Sequence, residues 1–128
     1  MAAKDDLLDA VERGDTDTAA AALDDGANPD AADRYGVTAL VRAAGRGDRA
    51  MVDLLLGRGA QVDRSTTQDN TPLMLAAARG HRAMVARLLQ AGADPAHRNK
   101  WQFTARDWAT WPAEAADVVA MLDQARGR

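Results

Sequence analysis

The side chains that could support catalysis are few in this sequence and lie far apart along it. The 128-residue chain has one serine, Ser65, two histidines, His81 and His97, and no cysteine. A nucleophile needs a base within hydrogen-bond reach, and neither histidine stands at a suggestive spacing from Ser65. A zinc site needs several closely placed ligands, and no paired carboxylates accompany either histidine. We therefore expect no enzyme activity, no catalytic residue, no metal and no cofactor.

The residues best suited to binding are arginines that recur at a fixed interval. Arg13, Arg46 and Arg79 follow one another at a constant 33-residue interval, and Arg42 precedes Arg46 by one helical turn. A guanidinium offers a forked pair of N–H donors that fits a carboxylate. Aligned along one groove, these arginines would grip an acidic segment of a partner, and replacing Arg46 and Arg79 would weaken binding but leave stability unchanged. The alternative is that each cation complements the dipole at a helix end.

Aromatic residues form the second candidate binding set. Four of the five, Trp101, Phe103, Trp108 and Trp111, stand close together, and the fifth is Tyr35. Trp101 and Tyr35 fall in polar segments between helices, so we expect their side chains to be exposed. Trp108 and Trp111 are three positions apart and share one face of a helix. They either bind a partner or cover the last unit of the fold.

The charge distribution argues against nucleic acid and membrane partners. The formal net charge is −3, and residues 1–32 carry nine acidic and two basic side chains, a net of −7. Nucleic acid calls for a strongly basic face that neutralises several phosphates. No apolar run approaches the roughly 18 residues that a membrane span needs. The first residues lack the basic and apolar regions of a secretion signal, so we expect a cytoplasmic location.

The whole sequence repeats at the same interval as these arginines, without an insertion. Leu7, Leu40 and Leu73 keep this interval, as do Gly26 and Gly59. A fixed period of this size is typical of stacked repeats, in which each unit buries its apolar face only against its neighbours. We expect one domain over residues 1–128. Its four units cover approximately 1–32, 33–65, 66–98 and 99–128.

Each unit reads as two short helices. Thr71 and Pro72 are typical of a helix start, and Gly80 is typical of a helix end in the left-handed conformation. A second helix is predicted at about 82–90, and Gly92 ends it. The apolar stripes of the two helices are Leu73, Ala76 and Ala77, and Val85, Leu88 and Leu89. From the same register we expect Leu56 and Leu89 to be buried. Their truncation to alanine would then cost about 2–5 kcal/mol.

These residues resemble the ankyrin repeat, whose signature is T-P-L-H-x-A-A, then G-H, then V-x-x-L-L-x-x-G-A-D. Residues 71–77 read TPLMLAA, 80–81 read GH and 85–94 read VARLLQAGAD. The second unit matches with TALVRAA at 38–44. The resemblance implies an all-α solenoid of four stacked helix-turn-helix units with short β-turn tips. It places His81 at the turn between two helices, whereas His97 is expected in solvent.

The resemblance also implies binding of another protein through the turn tips and the concave face of the first helices. Our leading hypothesis is a monomeric adaptor or stoichiometric inhibitor. The alternative is a structural or engineered repeat scaffold with no dedicated natural ligand, whose aromatic residues only seal the last unit. Carried over position by position, the partner-binding residues are Arg34, Tyr35, Val37, Arg42, Arg46, Thr67, Gln68, Asn70, Arg79, Lys100, Trp101, Phe103 and Trp111.

Overall fold

The computed structural model describes residues 3–109 and 115–126, which form eight helices in four consecutive pairs. The only β-bridging in the described part of the chain is one isolated antiparallel bridge between Ala32 and Thr38. The predicted all-α stack is confirmed. The helices are α1 (Ala3–Arg13), α2 (Thr16–Asp24), α3 (Ala39–Arg46), α4 (Arg49–Gly57), α5 (Pro72–Ala78), α6 (Arg82–Gln90), α7 (Ala105–Ala109) and α8 (Ala115–Arg126).

The helices form two layers, because each pair packs first on itself and then on the next pair. The first helices α1, α3, α5 and α7 contact one another in chain order and make the inner layer. The second helices make the outer layer, in which α2 packs on α4 and α6 packs on α8. None of the helices in the described ranges combines the length and apolar character that crossing a membrane requires.

Buried threonines start the inner helices. The Thr38 hydroxyl accepts the Val41 N–H at 3.1 Å, and the Thr71 hydroxyl accepts the Met74 N–H at 3.4 Å. Each bond satisfies one of the free N–H groups at a helix start. Thr104 in the last unit belongs to a reciprocal cap, since its own N–H donates to the Asp107 carboxylate at 2.8 Å. The three threonines keep the repeat interval and fix where each of these inner helices begins.

Aspartates start the outer helices of the first two units. Asp15 accepts the Thr18 N–H at 3.1 Å, and Asp48 accepts the Met51 N–H at 3.2 Å. The Thr18 hydroxyl and then its N–H, as hydrogen-bond donors, hold the pKa of Asp15 below its ordinary value of 3.8. Because the pKa is lower in the folded state, the ionised Asp15 carboxylate stabilises the fold at pH values above its ordinary pKa. That contribution is lost as the pH falls through the lowered pKa.

The core lies between the two layers, and it corrects one expectation about the outer leucines. Leu55 and Leu88 are fully buried, whereas Leu56 and Leu89 are only partly buried. One residue step turns a side chain by about 100° around the helix axis. Since Leu88 faces the inner layer together with Val85, the next leucine must point to the side of that face. Leu55 and Leu88 keep the 33-residue interval, and so do Leu56 and Leu89, so the interval alone does not show which pair is buried.

We expect Leu88→Ala to destabilise the protein clearly more than Leu89→Ala. Truncating the fully buried leucine leaves a cavity and should cost about 2–5 kcal/mol, whereas the partly buried leucine loses less buried area. Urea denaturation of the two variants measures the difference, because both carry the same chemical change one position apart. Equal losses in the two variants would contradict the assignment of Leu88 to the inward face.

Candidate functional site

Three turn tips project beside the inner helices, and one side chain organises each tip. Asp33, Thr66 and Asn99 occupy the same position in successive units, and each accepts the N–H groups two and four positions later. The distances are 2.8 and 3.1 Å for Asp33, 3.3 and 3.2 Å for Thr66, and 2.9 and 3.0 Å for Asn99. These bonds fix the backbone of each tip from within its own unit.

Successive tips are bonded to one another. The Thr67 N–H and hydroxyl both donate to the Tyr35 carbonyl, at 3.2 and 3.0 Å. The Lys100 N–H donates to the Gln68 carbonyl at 2.8 Å. The tips of the second, third and fourth units therefore form one continuous edge.

This edge exposes the aromatic residues that the sequence indicated. Tyr35 is 60%, Trp101 57% and Phe103 50% accessible to solvent. The Arg34 guanidinium lies 5.5 Å from the centre of the Tyr35 ring, a cation–π arrangement. The expected exposure of Trp101 and Tyr35 is confirmed. Trp111, the remaining predicted aromatic contact, lies outside the described residues.

Two arginines of the repeating series bond to the unit before their own. Arg46 donates to the Glu12 carbonyl, and Arg79 donates to the Gly45 carbonyl at 2.9 Å. Each acceptor belongs to the last turn of the preceding inner helix, where backbone carbonyls have no partner within the helix. These guanidiniums therefore join successive inner helices. The expectation that replacing them would leave stability unchanged does not fit this geometry.

His81 contributes to the same contact between successive inner helices. Its Nε2 atom lies 3.1 Å from the Gly45 carbonyl, which thus contacts both Arg79 and His81. No side-chain hydrogen bond from His81 caps its own helix α6 within the described residues. His81 therefore serves the contact between units as well as the turn in which it stands.

The outer side also joins units through arginines. Arg58 pairs with Asp24 at 2.8 Å, and Arg87 pairs with Asp53 at 2.7 Å, in each case with an aspartate of the preceding unit. Exposed pairs of this kind contribute only about 0–1 kcal/mol each. Their geometry nevertheless supports one consistent register between units.

An open groove of about 330 Å³ lies between the turn tips and helices α3 and α5. It brings together six of the predicted contact residues, which come from the second and third units. These six residues are Val37, Arg42, Arg46, Gln68, Asn70 and Arg79. The tip residues Arg34, Tyr35, Thr67, Lys100, Trp101 and Phe103 do not line the groove, and they stand on the exposed edge instead.

The groove is positively charged with an apolar floor. Its lining includes three arginines, Arg42, Arg46 and Arg79, and one acidic residue, Glu12. Arg42 also lies 3.5 Å from the Asp33 carboxylate, a long and partly exposed contact. A guanidinium has five N–H donors, so one bond to a carbonyl leaves others for a ligand. The arrangement can therefore take a carboxylate-bearing chain while burying apolar atoms beneath it.

Five lining residues were missed by the sequence reasoning: Glu12, Val41, Gly45, Thr66 and Leu75. A partial signal was available, because Leu75 follows Arg42 at the repeat interval and Gly45 follows Glu12 in the same way. Gly45 and Glu12 thus occupy equivalent positions in successive units. A Cβ added at position 45 would make ordinary van der Waals contacts with the side chains of Leu75 and Arg79, at 3.6 and 3.9 Å.

The residues that could do chemistry do not form a catalytic arrangement. The Ser65 hydroxyl is 3.5 Å from an Asp69 carboxylate oxygen, and His97 Nε2 is 3.1 Å from the Asp69 backbone carbonyl. A nucleophile must be bonded to its base, and here the histidine contacts a main-chain oxygen instead. His97, expected in solvent, is partly buried by this contact. In the described part of the chain, no three metal-binding side chains converge.

Trp108, which the sequence left open between binding and capping, is half-buried. Its Nε1–H is enclosed and has no hydrogen-bond partner within the described residues. Trp108 occupies the same position in its unit as Leu75 and Arg42 in theirs, and those two residues line the groove. Its burial is consistent with covering the last unit.

Comparison with known proteins matches this chain to one family. The family described as ankyrin repeats matches residues 7–99, in three copies. No curated protein matches the chain. The matched range includes helices α3 and α5, the first two turn tips and every residue that lines the groove.

Gln102→Gly should stabilise the protein by about 0.5–1 kcal/mol. Gln102 has φ +69° at a tip position where the second unit has Gly36 at +74°, and side chains with a Cβ disfavour this left-handed region. Asp69→Gly, at the equivalent φ of +65°, should gain less because aspartate tolerates that region better. Gly36→Ala should destabilise, since the new Cβ would meet the Thr67 nitrogen at 2.9 Å. Urea denaturation tests all three signs, and a less stable Gln102→Gly variant would refute the argument.

Arg79→Ala and His81→Ala should each cost about 0.5–1.5 kcal/mol, and the double variant should cost more than their sum. Either side chain alone still satisfies the Gly45 carbonyl, whereas the double variant leaves it without both donors. Arg13→Ala is the matched control, because Arg13 has the same position in the first unit and makes no bond to another unit within the described residues. Thermal unfolding measures all four. A loss in the Arg13 variant as large as in Arg79→Ala would show that the bond between units is not the cause.

Proposed function

The chain belongs to the ankyrin repeat family, and on that premise we propose that it binds the acidic segment of a partner protein as an adaptor or stoichiometric inhibitor. Ankyrin repeats are modules of protein–protein interaction, so the general role follows from the family. The observation that carries the finer proposal is the groove between α3 and α5. It joins three guanidiniums to an apolar floor beside an edge of exposed aromatic residues.

Two separate surfaces support the binding of one partner. The groove offers charge through Arg42, Arg46 and Arg79, which favours encounter with an acidic chain. The neighbouring edge offers exposed aromatic rings, a residue class that carries much of the free energy at interfaces. We propose that the acidic segment lies in the groove and that an adjoining apolar part of the partner covers the edge. The proposed edge surface consists of Arg34, Tyr35, Thr67, Lys100, Trp101 and Phe103. Trp111, which lies outside the described residues, is a further proposed partner contact.

We further propose that the protein acts as a monomer in the cytoplasm, as a single domain of four units. The net charge of −7 within residues 1–32, from nine acidic and two basic side chains, opposes contact of two copies through their first units. A chain without cysteine is compatible with a reducing compartment such as the cytoplasm.

A structural scaffold without a dedicated ligand is the second candidate, and a specific observation favours it. Arg46 and Arg79 bond to backbone carbonyls between units, so the arginine series has a structural reason to exist. The half-buried Trp108 likewise fits a capping role. What this candidate does not explain is the exposed edge, where burial of Trp101 and Phe103 would be expected if aromatic residues only sealed the stack.

Peptides that bind this chain should be acidic, and Arg42→Gln should lower their affinity about fivefold. The test selects short random peptides displayed on phage against the full chain, then measures synthetic copies by fluorescence polarisation. An exposed charge pair is worth up to about 1 kcal/mol, which is roughly fivefold in affinity. Trp101→Ala should lower the affinity about tenfold or more, mainly through faster dissociation. Arg49→Gln is the matched control, because it removes the same charge from the outer helix α4.

Two outcomes would contradict the proposal. Selected peptides without enrichment of aspartate or glutamate would show that the groove charge does not choose the ligand. Equal affinities of the Arg42→Gln and Arg49→Gln variants would show that the peptides bind elsewhere. Neither substitution should change the melting temperature noticeably, since both arginines take part only in long, partly exposed ion pairs.

A further inference from the structure

The basic groove continues into a second basin of opposite charge. This acidic basin, of about 490 Å³, lies between helix α1 and the first turn tip. Its lining shares Glu12, Val37 and Arg42 with the basic groove, so the two form one path across the first three units. The residues lining the acidic basin are Asp5, Leu8, Asp9, Glu12, Asp33, Val37 and Arg42.

The two basins carry net charges of opposite sign. The lining of the acidic basin has four acidic residues and one arginine, whereas the lining of the basic groove has three arginines and one acidic residue. Arg42 and Asp33, 3.5 Å apart, stand at the boundary between the two basins. Asp5 and Asp9 are both exposed. Their charge is therefore available to a ligand.

We propose that this path binds an extended partner segment of mixed charge, with a lysine or arginine over the acidic basin and an aspartate or glutamate over the basic groove. This rests on the proposed function and specifies its ligand. A uniformly acidic segment that ran on toward the first unit would meet Asp5 and Asp9, and like charges brought together disfavour the wrong ligand. A basic residue at that end converts the repulsion into attraction.

The spacing of the units sets the spacing of the charges. Packed helices lie about 8–10 Å apart, and an extended chain advances about 3.3 Å per residue. One unit therefore corresponds to about three residues of ligand. Since the two basins are offset by one unit, the basic and acidic residues of the segment should stand about three positions apart. Val37 lies in both basins and provides an apolar contact between the two charges.

The experiment is a double-mutant cycle between the full chain and a peptide selected from the phage library. Each selected peptide is synthesised with its basic residue intact and with glutamine in its place, and both are titrated against wild type, Asp9→Asn and Asp17→Asn. Asp17 is exposed on the outer helix α2 and lines neither basin, so it is the matched control. The peptide substitution should lower affinity about three- to fivefold on wild type and on Asp17→Asn, and clearly less on Asp9→Asn, where one of the four acidic residues of the basin is neutral.

The outcomes separate this inference from the proposed function. Acidic peptides that bind with no dependence on a basic residue or on Asp9 would overturn the mixed-charge ligand and leave the proposed function standing. If no peptide is enriched, both are overturned. Sedimentation of the chain alone provides the remaining outcome, since a dimer that Asp9→Asn dissociates would mean that a second copy fills the path, which also overturns the inference.

Discussion

The contact between successive units is the interaction on which the rest of this structure depends. A pair of helices as short as α5 and α6 is not stable alone in water and buries its apolar stripe only against its neighbours. Leu73 and Leu88 are completely buried for this reason. Short inner helices also leave unpaired carbonyls at every unit. Arg46 and Arg79 satisfy one such carbonyl each, in the unit before their own.

The contact between units also accounts for part of the positive charge of the groove. Arg46 and Arg79, which join the inner helices, also line the groove, since they stand at helix ends, where backbone carbonyls lack partners within the helix. Arg46 and Arg79 thus contribute to stability and to the potential of the groove at once. A substitution there changes both properties. Arg42 differs, because its contact with Asp33 is long and partly exposed, so its charge can be removed with little effect on the fold.

The stack also arranges unlike surfaces in a fixed order. Carboxylates of the first unit precede the arginines of the second and third units, and the aromatic edge runs beside them from Tyr35 to Trp101 and Phe103. A solenoid has no enclosed cavity in which to concentrate such groups, and it presents them in sequence along its length. This order is suited to reading an extended segment with a definite pattern of charge.

The sequence by itself determined the repeat, the helix boundaries near Thr71 and Gly80, and the exposure of Tyr35 and Trp101, because these depend on local capping, turns and a strict repeat interval. The contacts between units were decided by the tertiary structure. The bond from Arg79 to the Gly45 carbonyl depends on how far one inner helix is shifted along the next, which no interval in the sequence states. The folding of the third unit brings His97 to the Asp69 backbone carbonyl. The packing of one unit on the next sets Glu12 and Arg42 in both basins, where the sequence showed only separate charges.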